Sequence, residues 1–225
     1  MRPRRAFGIR SWCKSLINHL RLVYVKKESN FASMEQQQIN HKLTLAEYNQ
    51  LEEETQQRYE YHDGEVFAMA GEDPVHNVIG GNVIFILNQL LRKKNCRVYT
   101  SDQKVYIDFV GKSLYPDASV TCGPVERSDK DTKAILNPIL LVEVLSDSTE
   151  AYDRGRKFEY FSKLPSLREY VLLSQHEPKA QLHFRPSATE PWQITWVSQL
   201  DQTLTLQSLE IETTLEELYL KTEGL

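Results

Sequence analysis

The sequence predicts an α/β fold: a mixed central β-sheet covered by helices, with a β-rich C-terminal part. Three observations predict it. Residues 139–145, ILLVEVL, form an apolar run broken by a single acid, the length and texture of a strand buried on both faces. STEAYDRGRKFEYFSKL follows at once and reads as a helix, with Pro165 just past its end. LREYVLLS then returns to strand character, and strand, helix, strand is the unit that builds a covered sheet.

The other elements follow from local signals. Thr44 with Glu47 three residues on is a capping box, so a helix begins near residue 45. In RYEYHDGEVFAMAG, Asp63-Gly64 sits between two strand-like arms and marks a hairpin. Asp73 caps, and Pro74 opens, a long helix to which Val78, Phe85, Leu87 and Leu91 contribute buried side chains. CRVYTSDQKVYIDF alternates as one strand, or as two joined by a bend. Gly111 then turns the chain into a further short strand in LYPDASVTCG. Short strands are expected around Leu182 and Ile194, and TLEELYL closes the chain as a small capped helix. No internal repeat is visible. The body from residue 34 to 225 reads as one domain.

Bulk properties exclude several classes. No apolar run approaches the roughly 18–20 residues needed to span a bilayer, so no membrane partner is expected. The three cysteines, Cys13, Cys96 and Cys122, form no CxxC pair. They point to neither a disulfide framework nor a zinc site, Cys96 and Cys122 read as packing residues, and a reducing cytoplasm fits. Residues 1–33 carry a net charge of +7 and the remainder −11, which together make the chain's −4. The basic segment reads as an extension upstream of a start at Met34, disordered or loosely helical. A targeting segment or a DNA-gripping arm are the other readings. The acidic body argues against tight non-specific binding to nucleic acid.

Glu143, inside the buried strand, is costly to place there unless it is paired. Asp117 follows Pro116 in the preceding strand-like segment, and consecutive strands are commonly neighbours. Two adjacent carboxylates repel unless a proton or cation lies between them. Hard oxygen ligands with no Cys or His cluster suit Mg2+ or Mn2+. Leu141, Glu143 and Leu145 share one strand face, and Val142 and Val144 the other. Leu145 stands where a basic residue would project beside Glu143. The next candidate is Lys157, which shares a helical stripe with Phe161 and Leu164.

YPDASV, LLVEVLS and STEAYDRGRKFEYF, together with YEYHDGEVFAMAG, HNVIGGN and SLREYVLLS, resemble the Uma-two family of the restriction-endonuclease-like PD-(D/E)XK nuclease superfamily. The resemblance covers roughly residues 41–220. It implies a restriction-endonuclease-like core and a divalent-metal-dependent endonuclease hydrolysing DNA. By position it makes Asp117, Glu143 and the Val144 carbonyl the metal ligands, with Lys157 as a lysine migrated from position 145. Glu65 and His76 also match family positions and are accessory candidates. A homodimer would suit cutting of both strands.

A plainer reading stands beside each residue. Glu143 could pair with an arginine or with backbone amides, and Asp117 could be a strand-end residue. Lys157 could make a surface pair with Asp153 at i, i+4. His76 could bond the helix-start backbone, and Glu65 could face solvent. Arg154, Arg156, Lys157, Lys163 and Arg168 could meet phosphates or form a solvated face. Two alternatives to the nuclease remain: a catalytically inactive binding or regulatory module of the same fold, which the acidic body and Leu145 favour, and a hydrolase using paired carboxylates, such as a glycosidase.

Overall fold

A computed structural model describes residues 42–223, all within the unit Gln36–Leu225. The expectations for residues 1–33 and for Cys13 lie outside the described residues.

Helix α1 (Leu45–Thr55) starts as its capping box dictates: Glu47 N–H donates to Thr44 Oγ1 at 3.2 Å, and Thr44 N–H donates to Glu47 Oε2 at 2.7 Å. Strands β1 (Tyr59–His62) and β2 (Glu65–Ala68) form the hairpin, with His62 opposite Glu65. Both turn residues have positive φ, Asp63 at 53° and Gly64 at 96°, the backbone a two-residue hairpin turn needs. A Cβ on Gly64 would come within 2.9 Å of the Lys42 side chain, so position 64 needs glycine for space as well as for φ.

Helix α2 (Pro74–Leu91) is capped by Asp73, which accepts from Val75 N–H at 2.8 Å. It buries Ile79, Val83, Ile86, Leu87 and Leu91. Phe85 corrects the sequence reading. It is 68% exposed, because the 3.6-residue period that turns Ile79, Val83 and Ile86 inward carries position 85 to the opposite side.

CRVYTSDQKVYIDF resolves into two strands in different sheets, β3 (Cys96–Thr100) and β4 (Val105–Ile107). Strands β5 (Lys112–Leu114), β6 (Ala118–Cys122) and β7 (Leu140–Leu145) follow. Helix α3 then runs in three stretches, α-helical Glu150–Tyr152, a π turn Asp153–Lys157 and α-helical Phe158–Phe161. Strands β8 (Glu169–Ser174), β9 (Ala180–Phe184), β10 (Gln193–Val197), β11 (Thr203–Leu206) and β12 (Ile211–Thr214) precede the capped helix α4 (Leu215–Leu218).

The main sheet has the order β10-β9-β8-β7-β6-β3. Only β7 and β8 pair in parallel, joined by α3, so the sheet is mixed as predicted. A second sheet, β2-β1-β5-β4, and the β11-β12 hairpin complete the strands.

Strand β7 is buried along its whole length because it serves two cores. Leu140, Val142 and Val144 face α2 and the C-terminal hairpin residues Leu204, Leu206 and Ile211. Leu141 and Leu145 face Phe161 and Leu164 and the second sheet's Val105, Ile107 and Leu114. Each such aliphatic side chain contributes about 1.5–3 kcal/mol on burial. Glu143 points into the second layer, beneath α3.

Cys96 and Cys122 form a disulfide, at odds with the expectation of packing residues. They are directly opposed across β3 and β6 although 26 residues apart in sequence, a proximity that only the strand pairing creates. No helix among the described residues is long and apolar enough to cross a membrane.

Candidate active site

Antiparallel pairing sets Ala118 opposite Val142, and one step further brings Asp117 level with Glu143. Asp117 stands one residue before β6, outside the ladder. Its carboxylate turns inward instead and accepts from Val144 N–H at 2.7 Å through Oδ2. His76, on the first turns of α2, places Nε2 3.2 Å from the same oxygen. Burial works against a charged His76 imidazole, but Asp117 and the Val144 backbone raise its pKa above the ordinary value. His76 is therefore buried against the Asp117 carboxylate rather than bonded only to the helix start, and its Nδ1 is enclosed without a hydrogen-bond partner.

Lys157 reaches Glu143. Its Nζ lies 2.9 Å from Glu143 Oε1, 3.5 Å from Asp153 Oδ1 and 3.6 Å from Glu60 Oε1, and it donates to the Tyr115 carbonyl at 3.1 Å. Asp153 and Lys157 bound the π turn and, four residues apart, both point inward. Both are buried, so the pair at i, i+4 is not on the surface. Leu145 fills the second core at 2% exposure, so the position beside Glu143 is committed to packing and the lysine arrives from the helix instead.

One ammonium thus faces three carboxylates. Burial alone would lower the Lys157 pKa, but Glu143, Glu60 and Asp153 raise it well above its ordinary value, so it stays charged. Burial pushes the Glu143 carboxyl well above the usual range against the pull of Lys157, because Asp153 and Asp117 add further negative charge. Glu143 Oε1 and Asp153 Oδ1 are enclosed and within ion-pair distance of Lys157, yet neither receives a directed hydrogen bond. The cluster has an acidic surplus that a further cation would relieve.

Glu60 was not legible as a site residue. It lies on β1, whose Tyr59 and Tyr61 pack into the α1 core. Period-two alternation therefore sends Glu60 and His62 to the other face, toward α3. Burial alone would raise Glu60, but Lys157 and His62 hold it below its usual value. Glu65, the acid that the family position suggested, is exposed on β2 near the charge of Lys112, and no ion pair links it to the cluster among the described residues. The alternation YEYH was the one available signal for Glu60: two polar residues at period two, each following a tyrosine.

Of the basic residues near α3, Arg154 is tied to Glu150 at 2.7 Å and to Gln181, and Arg168 donates to the carbonyls of Pro165 and Leu167. Arg156 and Lys163 stand exposed. A surface concavity of about 630 Å3 lies along α1, lined by Asn49, Glu53 and Lys130 among others, and shares no residue with the cluster.

The Uma2 family, described as "Putative restriction endonuclease", matches residues 45–217. "Uncharacterized protein slr1290" of Synechocystis sp. is 40% identical over 144 residues, 64% of this chain and 75% of the relative. "Uncharacterized protein sll1609" of the same organism is 30% identical over 153 residues, 68% of this chain and 86% of that one. A crystal structure from Anabaena variabilis, described as "a putative nuclease belonging to DUF820", superposes with a TM-score of 0.63 over 79% of this chain and 97% of its own, at 16% identity, and so shares the fold. With most of its length matched by the family pattern, the chain belongs to the Uma2 family of restriction-endonuclease-like proteins.

Proposed function

We propose that the protein is a divalent-metal-dependent endonuclease that hydrolyses phosphodiester bonds in DNA. The observation that carries this reading is Lys157 Nζ at 2.9 Å from Glu143, delivered by α3 to the place that Leu145 leaves without a base. A lysine pointing to solvent would have favoured an inactive module of the same fold.

Mg2+ or Mn2+ fits the donor set. Asp117, Glu143 and the Val144 carbonyl are hard oxygens, and around Lys157 three carboxylates face a single ammonium. Among the described residues no three His, Cys, Asp or Glu side chains converge as a metal-binding group. Two carboxylates and a carbonyl therefore suit an ion that keeps several waters, as Mg2+ does. When bound, such an ion supplies a Lewis acid and lowers the pKa of a water. The protein's own groups do the rest. Val144 N–H and His76 fix the Asp117 carboxylate. Lys157, held charged by its carboxylates, stabilises negative charge developing on the phosphoryl oxygens.

The test is cleavage of plasmid, linear, branched and single-stranded DNA with Mg2+ or Mn2+. The wild-type protein is expected to cut at least one of them. Glu143→Gln and Asp117→Asn are each expected to lower the rate at least about 100-fold. The melting temperature of Glu143→Gln should stay equal or rise, since that change removes surplus negative charge. Normal cleavage by Glu143→Gln would show that the site is elsewhere.

A further inference from the structure

Lys157 leans hardest on a group that the proposed reaction needs elsewhere. Its shortest ion pair is with Glu143, at 2.9 Å, and Glu143 is also one of the two carboxylates assigned to the divalent cation. A carboxylate that ligates a divalent cation has little charge left for an ammonium, and the two positive charges repel. A lysine held by Glu143 alone would leave the site as the cation entered it.

Two further carboxylates face the ammonium among the described residues, and they are not equivalent. Asp153 Oδ1 lies 3.5 Å away, and burial pushes the Asp153 carboxyl above its ordinary range against the pull of Lys157. Glu60 is fixed at both ends. Its Oε1 lies 3.6 Å from Lys157 Nζ and accepts from Tyr115 N–H at 3.5 Å. The Tyr115 carbonyl accepts from Lys157 at 3.1 Å, so one peptide residue brackets the pair. Glu60 Oε2 accepts from the Tyr152 hydroxyl at 3.2 Å and lies 3.2 Å from His62 Nε2, which is itself 3.3 Å from that hydroxyl. Tyr152 stands on α3, so the helix that delivers Lys157 also fixes its second counter-ion. Burial works against a charged Glu60, but Lys157 and His62 hold its carboxyl below the usual value. Of the three carboxylates around Lys157, Glu60 is the one whose surroundings favour the anion.

We infer that Glu60 is a positioning residue that keeps Lys157 in the cluster when Glu143 serves a divalent cation, with Tyr152 and His62 holding the Glu60 carboxylate for that task. The inference rests on the nuclease reading above. Lys157 exchanges Glu143 for Glu60 without leaving the cluster, so its charge remains available to the phosphoryl oxygens.

The experiment follows the Lys157 ammonium by proton–nitrogen NMR with and without Mg2+, alongside kcat and KM on a DNA that the wild type cuts. Lys157→Met identifies the signal, and circular dichroism checks folding. In the wild type the signal should persist at saturating Mg2+. In Glu60→Gln it should be present without Mg2+, where Glu143 still holds the ammonium, and be lost when Mg2+ is added. Glu60→Gln should lower kcat about 10- to 100-fold with little change in KM, and should cost nothing further in a Lys157→Met background, which a merely structural role would not allow. Tyr152→Phe, which keeps every charge, should show the same losses in smaller measure. If Glu60→Gln does not fold, Tyr152→Phe decides, and wild-type behaviour there counts against Glu60. A signal that survives Mg2+ in Glu60→Gln, a wild-type signal lost on Mg2+, or a kcat loss that repeats in full without Lys157 would overturn the role of Glu60 and leave the nuclease reading standing. If the wild type cuts no DNA, both fall.

Discussion

His183 shows at the scale of one residue what burial without a partner costs. It is 4% exposed, both ring nitrogens lack a hydrogen bond, and Phe158 lies 4.3 Å away. Burial, with help from the Arg154 charge, pushes its pKa down to about 4 from an ordinary 6.5. The folded state therefore binds this proton later than the unfolded chain does. Above pH 6.5 neither state is charged and nothing is lost. As pH falls from 6.5 towards 4 the unfolded chain gains the proton and the fold loses stability, on the order of 2 kcal/mol. His183→Phe should remove that acid-side loss, measured as melting temperature against pH. An unchanged pH dependence would show that His183 is not the group responsible. Glu143 is the opposite case, because its burial was legible from an acid in an aliphatic run. Its partner was legible too, since Lys157 shares a helical stripe with Phe161 and Leu164. Glu60 was not, because nothing local says which face of a four-residue strand meets a helix some ninety residues on.

At the scale of elements, the features read correctly were those with local causes. The capping box of α1, the Asp63-Gly64 turn and the Asp73 cap each act over four residues or fewer, and each is present as expected. The features missed depend on pairings between distant segments. The two halves of CRVYTSDQKVYIDF join different sheets, which alternation alone cannot tell. Cys96 and Cys122 meet only because β3 lies against β6. The disulfide gives a direct test. Closing a loop with a sequence separation of 26 stabilises by about 3 kcal/mol. Cys96→Ser with Cys122→Ser should lower the denaturation free energy by that order, and dithiothreitol should bring the wild type to the same value. Free thiols at both positions in non-reducing mass spectrometry would contradict the bond.

Across the whole molecule, polar groups tie the second sheet to its surroundings. Lys104, 2% exposed, bonds Glu52 of α1 and Asp131 at 2.7 Å each. Tyr115 joins the network through its hydroxyl, which donates to Glu52 at 2.8 Å, while its carbonyl receives Lys157. The candidate site therefore rests on a buried charged frame that spans α1, the second sheet and α3. Removing one partner leaves the others charged and buried. Lys104→Met should cost about 3–5 kcal/mol in urea unfolding. A loss below about 1 kcal/mol would show that the network is loosely held. If Lys104→Met stays folded, displacement of Tyr115 should also weaken DNA cleavage.

The proposed nuclease needs Asp117 and Glu143 to form one acidic site for a divalent cation beside Lys157. Anomalous diffraction from crystals soaked in Mn2+ tests it most directly. A peak is expected about 2.1 Å from a carboxylate oxygen of each of Asp117 and Glu143, with the Val144 carbonyl as a further neighbour. The peak should be lost in Glu143→Gln. No peak there at saturating Mn2+, or a peak at another cluster while Lys157 stays on Glu143, would contradict it.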